Sequence, residues 1–158
     1  MAKAKRKLAS GDVATNRSAS HRYHLLERVE AGIVLSGTEV KSLRTGGAQL
    51  KDGYVAVTNG ELWLYSVHIP PYGPAARENH DPDRPRKLLV HRRELEQLQS
   101  RARERGLTIV PTRIYFSGQH AKVEIALARG KDLYDKRQAI RERETRRDIE
   151  RGVREARR

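Results

Sequence analysis

The chain has 158 residues, a length typical of one domain with or without tails. It contains 33 lysines and arginines against 20 acidic residues, and the resulting formal net charge of +13 favours an anionic partner such as nucleic acid. The absence of cysteine excludes disulfides, thiolate zinc sites, iron–sulfur clusters and cysteine nucleophiles. Because the sequence has no run of about 18 apolar residues and no secretion signal, we expect a cytoplasmic protein without a membrane span.

The basic excess is concentrated at the two ends of the chain. Residues 1–28 hold seven lysines and arginines against two acidic residues, and residues 131–158 hold eleven against seven. Residues 1–15 have few apolar side chains and no periodicity, so we expect a basic, disordered arm. The segment 131–158 is rich in helix-forming residues but has only a thin apolar stripe that includes Ile149 and Val153. We therefore expect it to be disordered in the free protein and helical on a partner.

The first half of the central region contains clear signals for short elements. A strand-like pattern covers residues 22–35, and Ser36–Glu39 has the spacing of a helix capping box. The pair Gly46-Gly47 is suited to ending this first helix. Asn59-Gly60 lies between two strand-like runs and predicts a tight hairpin, after which a proline-rich loop covers residues 70–85.

The second half continues the same pattern. A strand over residues 87–90 enters a second helix that stops at Gly106. Strands over residues 107–110 and 113–116 precede an alternating strand over residues 122–127. Six or so short strands with two helices predict a mainly β protein, a small antiparallel barrel whose closure removes exposed strand edges.

The sequence supports catalysis or metal binding less well than nucleic-acid binding. His21 and His24 point to opposite faces of a strand, and no histidine pair has metal-ligand spacing, so we expect neither a metal nor a cofactor. His80-Asp81, or Glu30 with Glu39, could supply the acid–base pair of a metal-dependent ribonuclease. We interpret His80-Asp81 instead as loop residues and expect no enzymatic activity, with the ribonuclease kept as an alternative.

Basic and aromatic residues together favour nucleic-acid binding. Lysines and arginines neutralise phosphates, and aromatic rings stack on unpaired bases. The basic candidates in the central region are Lys41, Arg44, Arg84, Arg86, Lys87, Arg92 and Arg93. The aromatic candidates are Tyr23, Trp63, Tyr65, Tyr72 and Tyr115, of which we expect Trp63 to fill the barrel core. A general single-stranded nucleic-acid binder remains open at this point.

A series of motifs is more specific than the composition. The longest is residues 30–44, EAGIVLSGTEVKSLR. The others, in chain order, are Asn16-Arg17, His21-x-Tyr23, His68-Ile69, Asn79-His80-Asp81-Pro82, Arg86-Lys87-Leu88-Leu89, Gly130-Lys131 and Tyr134-Asp135-Lys136-Arg137. In order and spacing they resemble the bacterial SmpB (SsrA-binding protein) family, and they span residues 16–137.

This resemblance implies a function in ribosome rescue. A family member binds the tRNA-like domain of transfer-messenger RNA (tmRNA) with an OB-like barrel. It delivers the RNA, with elongation factor Tu and GTP, to stalled ribosomes for trans-translation. Its C-terminal tail folds in the empty mRNA channel near the decoding centre. The implied division is a basic arm over residues 1–15, a tmRNA-binding barrel over residues 16–130 and a basic tail over residues 131–158.

The resemblance and the positions of the charges together assign the site residues. We expect the tmRNA-binding residues to be Asn16, His21, Tyr23, Glu30, Lys41, Arg44, Arg86, Lys87 and Lys122. The resemblance implies decoding-centre residues in the tail at Gly130, Lys131, Tyr134, Asp135, Lys136 and Arg137. We expect Leu89 to support the RNA-binding face from the core.

Overall fold

The structure, a computed structural model, describes residues 11–104, 106–131 and 133–157, with residues 76 and 133–136 described by their backbone alone. The strands in these ranges are β1 (Asp12–Thr15), β2 (Tyr23–Ile33), β3 (Tyr54–Thr58), β4 (Glu61–Tyr65), β5 (Arg86–Leu89), β6 (Leu107–Ser117) and β7 (His120–Gly130). The helices are α1 (Arg17–Arg22), α2 (Gly37–Gly46), α3 (Arg92–Ala102) and α4 (Leu133–Ala156), with a 3₁₀ helix over Gly73–Glu78.

Six of the strands close into an antiparallel barrel. Around the ring the order is β6-β3-β4-β5-β2-β7, and pairing of β7 back to β6 completes the closure. The long strands β2 and β7 pair from Tyr23–Gly130 to Gly32–Lys122. The predicted six-stranded barrel is therefore confirmed, and β1 is an additional seventh strand outside the ring.

Strand β6 corrects two expectations. It runs without interruption through Pro111, where two separate strands were expected, because a register shift between Pro111 and Arg113 accommodates the missing backbone donor. Beyond this shift β6 pairs with β1, where Thr15 lies opposite Arg113. The disordered arm expected over residues 1–15 is thus wrong for Asp12–Thr15, and residues 1–10 lie outside the described residues.

Local signals in the sequence fix several element ends. The capping box begins α2, with the Ser36 N–H donating to Glu39 Oε2 at 3.4 Å. The hairpin between β3 and β4 turns on Asn59 and Gly60, whose φ angles of 52° and 72° are those of a two-residue type I′ turn.

The core lies inside the ring and follows the alternation of the strands. Leu62 and Leu64 of β4 are fully buried, and so are Val123, Ile125 and Leu127 of β7. Trp63 lies between the two leucines and is therefore on the outer face, only half-buried. The expectation that Trp63 fills the core is wrong.

The C-terminal segment is a helix in this single chain. Helix α4 has 24 residues, twice the length at which isolated helices become marginal. The sequence predicted that the tail is disordered in the free protein and helical on a partner. The structure shows Leu133–Ala156 as a helix in the single chain. Among the described residues, no helix is both long and apolar enough to cross a bilayer.

Candidate nucleic-acid interface

Three polar side chains meet on the outer face of β2, β6 and β7. Tyr115 lies opposite Lys122 in the β6–β7 pairing, and its hydroxyl donates to Glu30 Oε2. Lys122 Nζ lies 4.0 Å from Glu30 Oε1. The structure therefore brings together two residues predicted as RNA contacts, Glu30 and Lys122, and Tyr115 reaches Glu30 from β6 across β7.

The same face continues into a charged network toward β1. Arg113 stacks on the Tyr115 ring with its guanidinium carbon 4.4 Å from the ring centre, and it donates to Asp12 at 2.9 Å. Arg113 also lies 3.6 Å from Glu124, to which Thr112 donates. Burial raises the pKa of Tyr115 to about 12, and its bond to Glu30 acts in the same direction.

An open cavity of about 660 Å³ lies beside this group, between β2, β5, β7 and the start of α3. Glu30, Lys122, His91 and His120 line it together with apolar residues that include Leu89. Leu89 is 53% exposed, because Leu88 takes the inward position on β5. The expectation of a core position for Leu89 is therefore wrong, and the side chain forms part of the cavity wall.

The cross-strand neighbour of Leu89 is Gly32 on β2. A Cβ on Gly32 would lie 3.4 Å from Leu89 Cβ, so Leu89 packs directly over the glycine. The cavity thus combines apolar side chains with charged and polar ones, including Glu30 and Lys122.

Helix α2 exposes the two cations predicted on it. Lys41 Nζ lies 5.8 Å from the centre of the Tyr72 ring, and the Arg44 guanidinium carbon lies 4.4 Å from that of Phe116. Both cations remain exposed, so they are accessible to phosphates.

The Asn16 side chain is engaged in hydrogen bonds within the protein. Its Nδ2 donates to Leu50 O at 3.2 Å and to Pro111 O at 2.9 Å, while Oδ1 accepts from the backbone of Ala19 and the hydroxyl of Ser18. These four bonds fill the hydrogen-bonding capacity of the amide. Asn16 therefore caps α1 and ties it to the barrel.

His21 and Tyr23, the two aromatic residues predicted to bind RNA, are half-buried. Tyr23 packs against Ala19, Val110 and Ala128, and His21 lies on α1. Both residues lie next to the beginning of β2, and neither is fully accessible.

The prediction of a phosphate contact by Arg86 is wrong, because its side chain is 1% exposed. Its Nη1 donates to Val67 O at 2.7 Å and Nη2 to Pro82 O at 3.0 Å. Burial lowers the pKa of Arg86, an effect that Glu39 opposes. Lys87, the next residue, points outward and pairs with Glu61 at 2.8 Å.

A buried carboxylate, Glu39, was missed by the sequence analysis as a structural centre. It is fully buried, accepts from Arg84 and lies 3.4 Å from Arg86 Nε. Its place as the third residue of the capping box was the available signal, but its two arginine partners come from the distant loop and β5. Glu39 thus stabilises the fold through buried ion pairs and is not exposed as a general acid or base would be.

Both ring nitrogens of His80 also lie within hydrogen-bonding distance of other residues of the protein. Its Nδ1 lies 2.9 Å from Thr38 Oγ1 and its Nε2 lies 3.0 Å from Ile69 O. Both ring nitrogens therefore join the proline-rich loop to α2 and to the segment after β4.

The base of the tail is attached to α1. The Lys131 N–H donates to Arg22 O at 3.0 Å, and Lys131 Nζ donates to Ser20 O at 2.9 Å. Gly130 ends β7 and Arg137 is exposed on α4. The side chains of the predicted residues Tyr134, Asp135 and Lys136 lie outside the described part of the structure.

Comparison with known proteins agrees with this arrangement. The SmpB protein family matches residues 13–155. An SsrA-binding protein from Carboxydothermus hydrogenoformans is 53% identical over 142 residues, which cover 90% of this chain and 95% of the relative. One from Sulfurihydrogenibium sp. is 55% identical over 140 residues, covering 89% and 92%.

A solved structure described as "tmRNA-SmpB: a journey to the center of the bacterial ribosome" has a similar fold. The TM-score is 0.67 and the identity 45%, over 81% of this chain and 94% of that chain. The OB-like fold class implied by the sequence motifs is confirmed by this similarity. By sequence over nearly its whole length, and by its barrel, the chain belongs to the SmpB family of SsrA-binding proteins.

Proposed function

We propose that this protein binds the tRNA-like domain of tmRNA and delivers it to stalled ribosomes for trans-translation. Membership of the SmpB family supports this function, as does the likeness to a structure described by the names tmRNA, SmpB and bacterial ribosome. The RNA would recruit elongation factor Tu with GTP, and the work would take place in the cytoplasm, where ribosomes translate.

The observation that carries the proposal is the separation of two RNA-binding features. The barrel offers the cavity beside Glu30 and Lys122, with the α2 cations Lys41 and Arg44 for phosphates. Helix α4 offers a second feature, a set of arginines interspersed with acidic residues that is exposed from Arg137 onward apart from a half-buried Ala139. A protein that connects one RNA to another needs two such features.

The tail is suited to an enclosed site. Ile140 and Ile149 are both exposed, and nine residues at about 100° per residue place them on opposite faces of α4. A helix with apolar residues on opposite faces is better matched to a channel that surrounds it than to one flat surface. We propose that the channel is the empty mRNA channel near the decoding centre.

Within this channel the first turn of α4 would face the decoding centre. Tyr134 would stack on a ribosomal base there, and Lys136 and Arg137 would contact phosphates. Gly130, Lys131 and Asp135 would connect and orient this turn.

The test is a competition titration at one fixed, near-physiological salt concentration. The tRNA-like domain of tmRNA would compete against bulk tRNA and a single-stranded oligonucleotide, since salt alone changes such affinities strongly. We expect a clear preference for the tRNA-like domain. Equal binding of all three RNAs would instead identify a general single-stranded nucleic-acid binder, and metal-dependent cleavage of the RNA would identify a ribonuclease.

A further inference from the structure

Glu30 is an unexpected residue on the RNA-facing side of a basic barrel, because a carboxylate repels phosphates. Its side chain is 57% exposed, so it does not serve the core. Its Oε2 accepts from the Tyr115 hydroxyl, and its Oε1 lies 4.0 Å from Lys122. The carboxylate is therefore held at the edge of the cavity rather than moving freely in solvent.

The orientation of Tyr115 is itself fixed. Arg113 covers its ring at 4.4 Å, and Arg113 is in turn held by Asp12 at 2.9 Å. With a pKa raised to about 12, chiefly by burial, the Tyr115 hydroxyl keeps its proton at neutral pH and donates to Glu30. Glu30 and Lys122 line the cavity, and the Tyr115 hydroxyl contacts Glu30 from outside that lining.

The cavity fits an unstacked nucleobase. Its volume of about 660 Å³ is in the usual range for small ligands. Leu89, which packs over Gly32 and is 53% exposed, offers an apolar surface to the face of a base. Lys122 at the rim is placed to meet the phosphate of the same nucleotide.

A carboxylate distinguishes among the four bases by its chemistry. It offers acceptors only, and guanine alone presents two adjacent donors, N1–H and the N2 amino group, on its Watson–Crick edge. Adenine and cytosine place a ring acceptor beside their amino group, and uracil places carbonyls on both sides of its N–H. Unpaired bases in RNA are read on this edge.

We propose that Tyr115 is a positioning residue that holds the Glu30 carboxylate toward the cavity, where Glu30 accepts from N1–H and the N2 amino group of an unpaired guanine in the bound RNA. This inference rests on the proposed function, since it concerns the RNA that the barrel binds. It assigns base specificity to the Glu30 carboxylate, and it assigns the orientation of that carboxylate to Tyr115 on β6, across the intervening strand β7.

The first test is a double-mutant cycle with the tRNA-like domain as the ligand. Tyr115→Phe keeps the ring under Arg113 and removes only the hydroxyl, and Glu30→Gln replaces an acceptor by an amide donor. Each change removes a hydrogen bond to a charged group, so each should weaken binding roughly ten- to hundredfold. The double variant should bind no more weakly than Glu30→Gln alone, because Tyr115 acts through Glu30.

Tyr54→Phe is the matched control, since Tyr54 is an exposed tyrosine on β3, away from β2 and β7. It should bind like the wild type. Thermal unfolding of all variants confirms that they fold. The proposal is overturned if Tyr115→Phe binds normally, or if the losses of the two single variants multiply in the double variant.

The second test identifies the base. Kethoxal modifies N1 and N2 of unpaired guanines, so the wild-type protein should protect one guanine of the tRNA-like domain. Tyr115→Phe and Glu30→Gln should each lose that protection at saturating protein, whereas Tyr54→Phe should keep it. Protection that survives in both variants would refute the guanine contact. The proposed function would fail separately, through a lack of preference for the tRNA-like domain over bulk tRNA.

Discussion

Glu39 and Arg86 lie against each other inside the barrel, with Arg86 Nε 3.4 Å from Glu39 Oε2 and neither side chain more than 1% exposed. The guanidinium also donates to two carbonyl groups, those of Val67 and Pro82. One buried arginine therefore joins α2, the end of β4 and the proline-rich loop to β5. It therefore holds these segments together.

Replacement of Arg86 by alanine should destabilise the protein without removing an RNA contact. It leaves two carbonyls without their donors, and breaking a buried ion pair typically costs about 3–5 kcal/mol. Urea unfolding would measure the loss, with Arg92→Ala, at an exposed position on α3, as a control expected to change stability by less than about 0.5 kcal/mol. A stable Arg86→Ala variant with reduced RNA affinity would instead show that Arg86 contacts RNA.

The Tyr115 hydroxyl should give the protein a specific pH dependence. Its pKa in the folded state, about 12, is above the ordinary value of 10.0, so folding favours the protonated form. This stabilising contribution is present below pH 10 and is lost as the pH rises through 12. The stability difference between wild type and Tyr115→Phe should therefore shrink between these pH values, as measured by urea unfolding. A constant difference across that range would contradict the assignment.

The cations of α2 should be visible in the salt dependence of RNA binding. Each phosphate contact contributes about 0.7–0.9 to the slope of log affinity against log salt, so Lys41→Ala and Arg44→Ala should each reduce the slope by about that amount. Arg103→Ala, an exposed cation at the end of α3, is the control. An unchanged slope for both α2 variants would remove them from the interface.

Local signals explain why so much of the fold was predictable. Asn59-Gly60 and the Ser36–Glu39 capping box act within a few residues, and each produced the element expected from it. Strand β1 is different, since it has only four residues and no apolar alternation. It exists because β6 continues past Pro111 and offers a free edge, which no local pattern reveals.

The site was less predictable because it depends on contacts between distant segments. Motif and charge grouped Arg86 with Lys87, yet neighbouring residues on a strand point to opposite faces, and Arg86 shares the inward face with Leu88. The same alternation exposes Leu89. The contact between Tyr115 and Glu30 joins β6 to β2 across β7, so the sequence indicated Tyr115 only as a stacking residue.

Helix α4 should be needed for tagging but not for binding tmRNA. Thr145 is an exposed residue in the middle of α4, and proline there costs the helix about 3 kcal/mol or more. Thr145→Pro should bind the tRNA-like domain like the wild type and should fail to support tagging on stalled ribosomes in a reconstituted translation reaction. Thr145→Ala, at the same position without the helix break, should support both.

Truncation after Lys131 would test the same division while preserving the contacts of Lys131 with α1. Because the described tail side chains from Arg137 onward are exposed apart from a half-buried Ala139, their loss should leave the barrel folded and its RNA affinity unchanged. Reduced affinity of the truncated protein for the isolated tRNA-like domain would show that the tail contributes to the tmRNA interface.

For the Thr145→Pro variant, tagging at the wild-type rate would show that the helical form of the tail is not required.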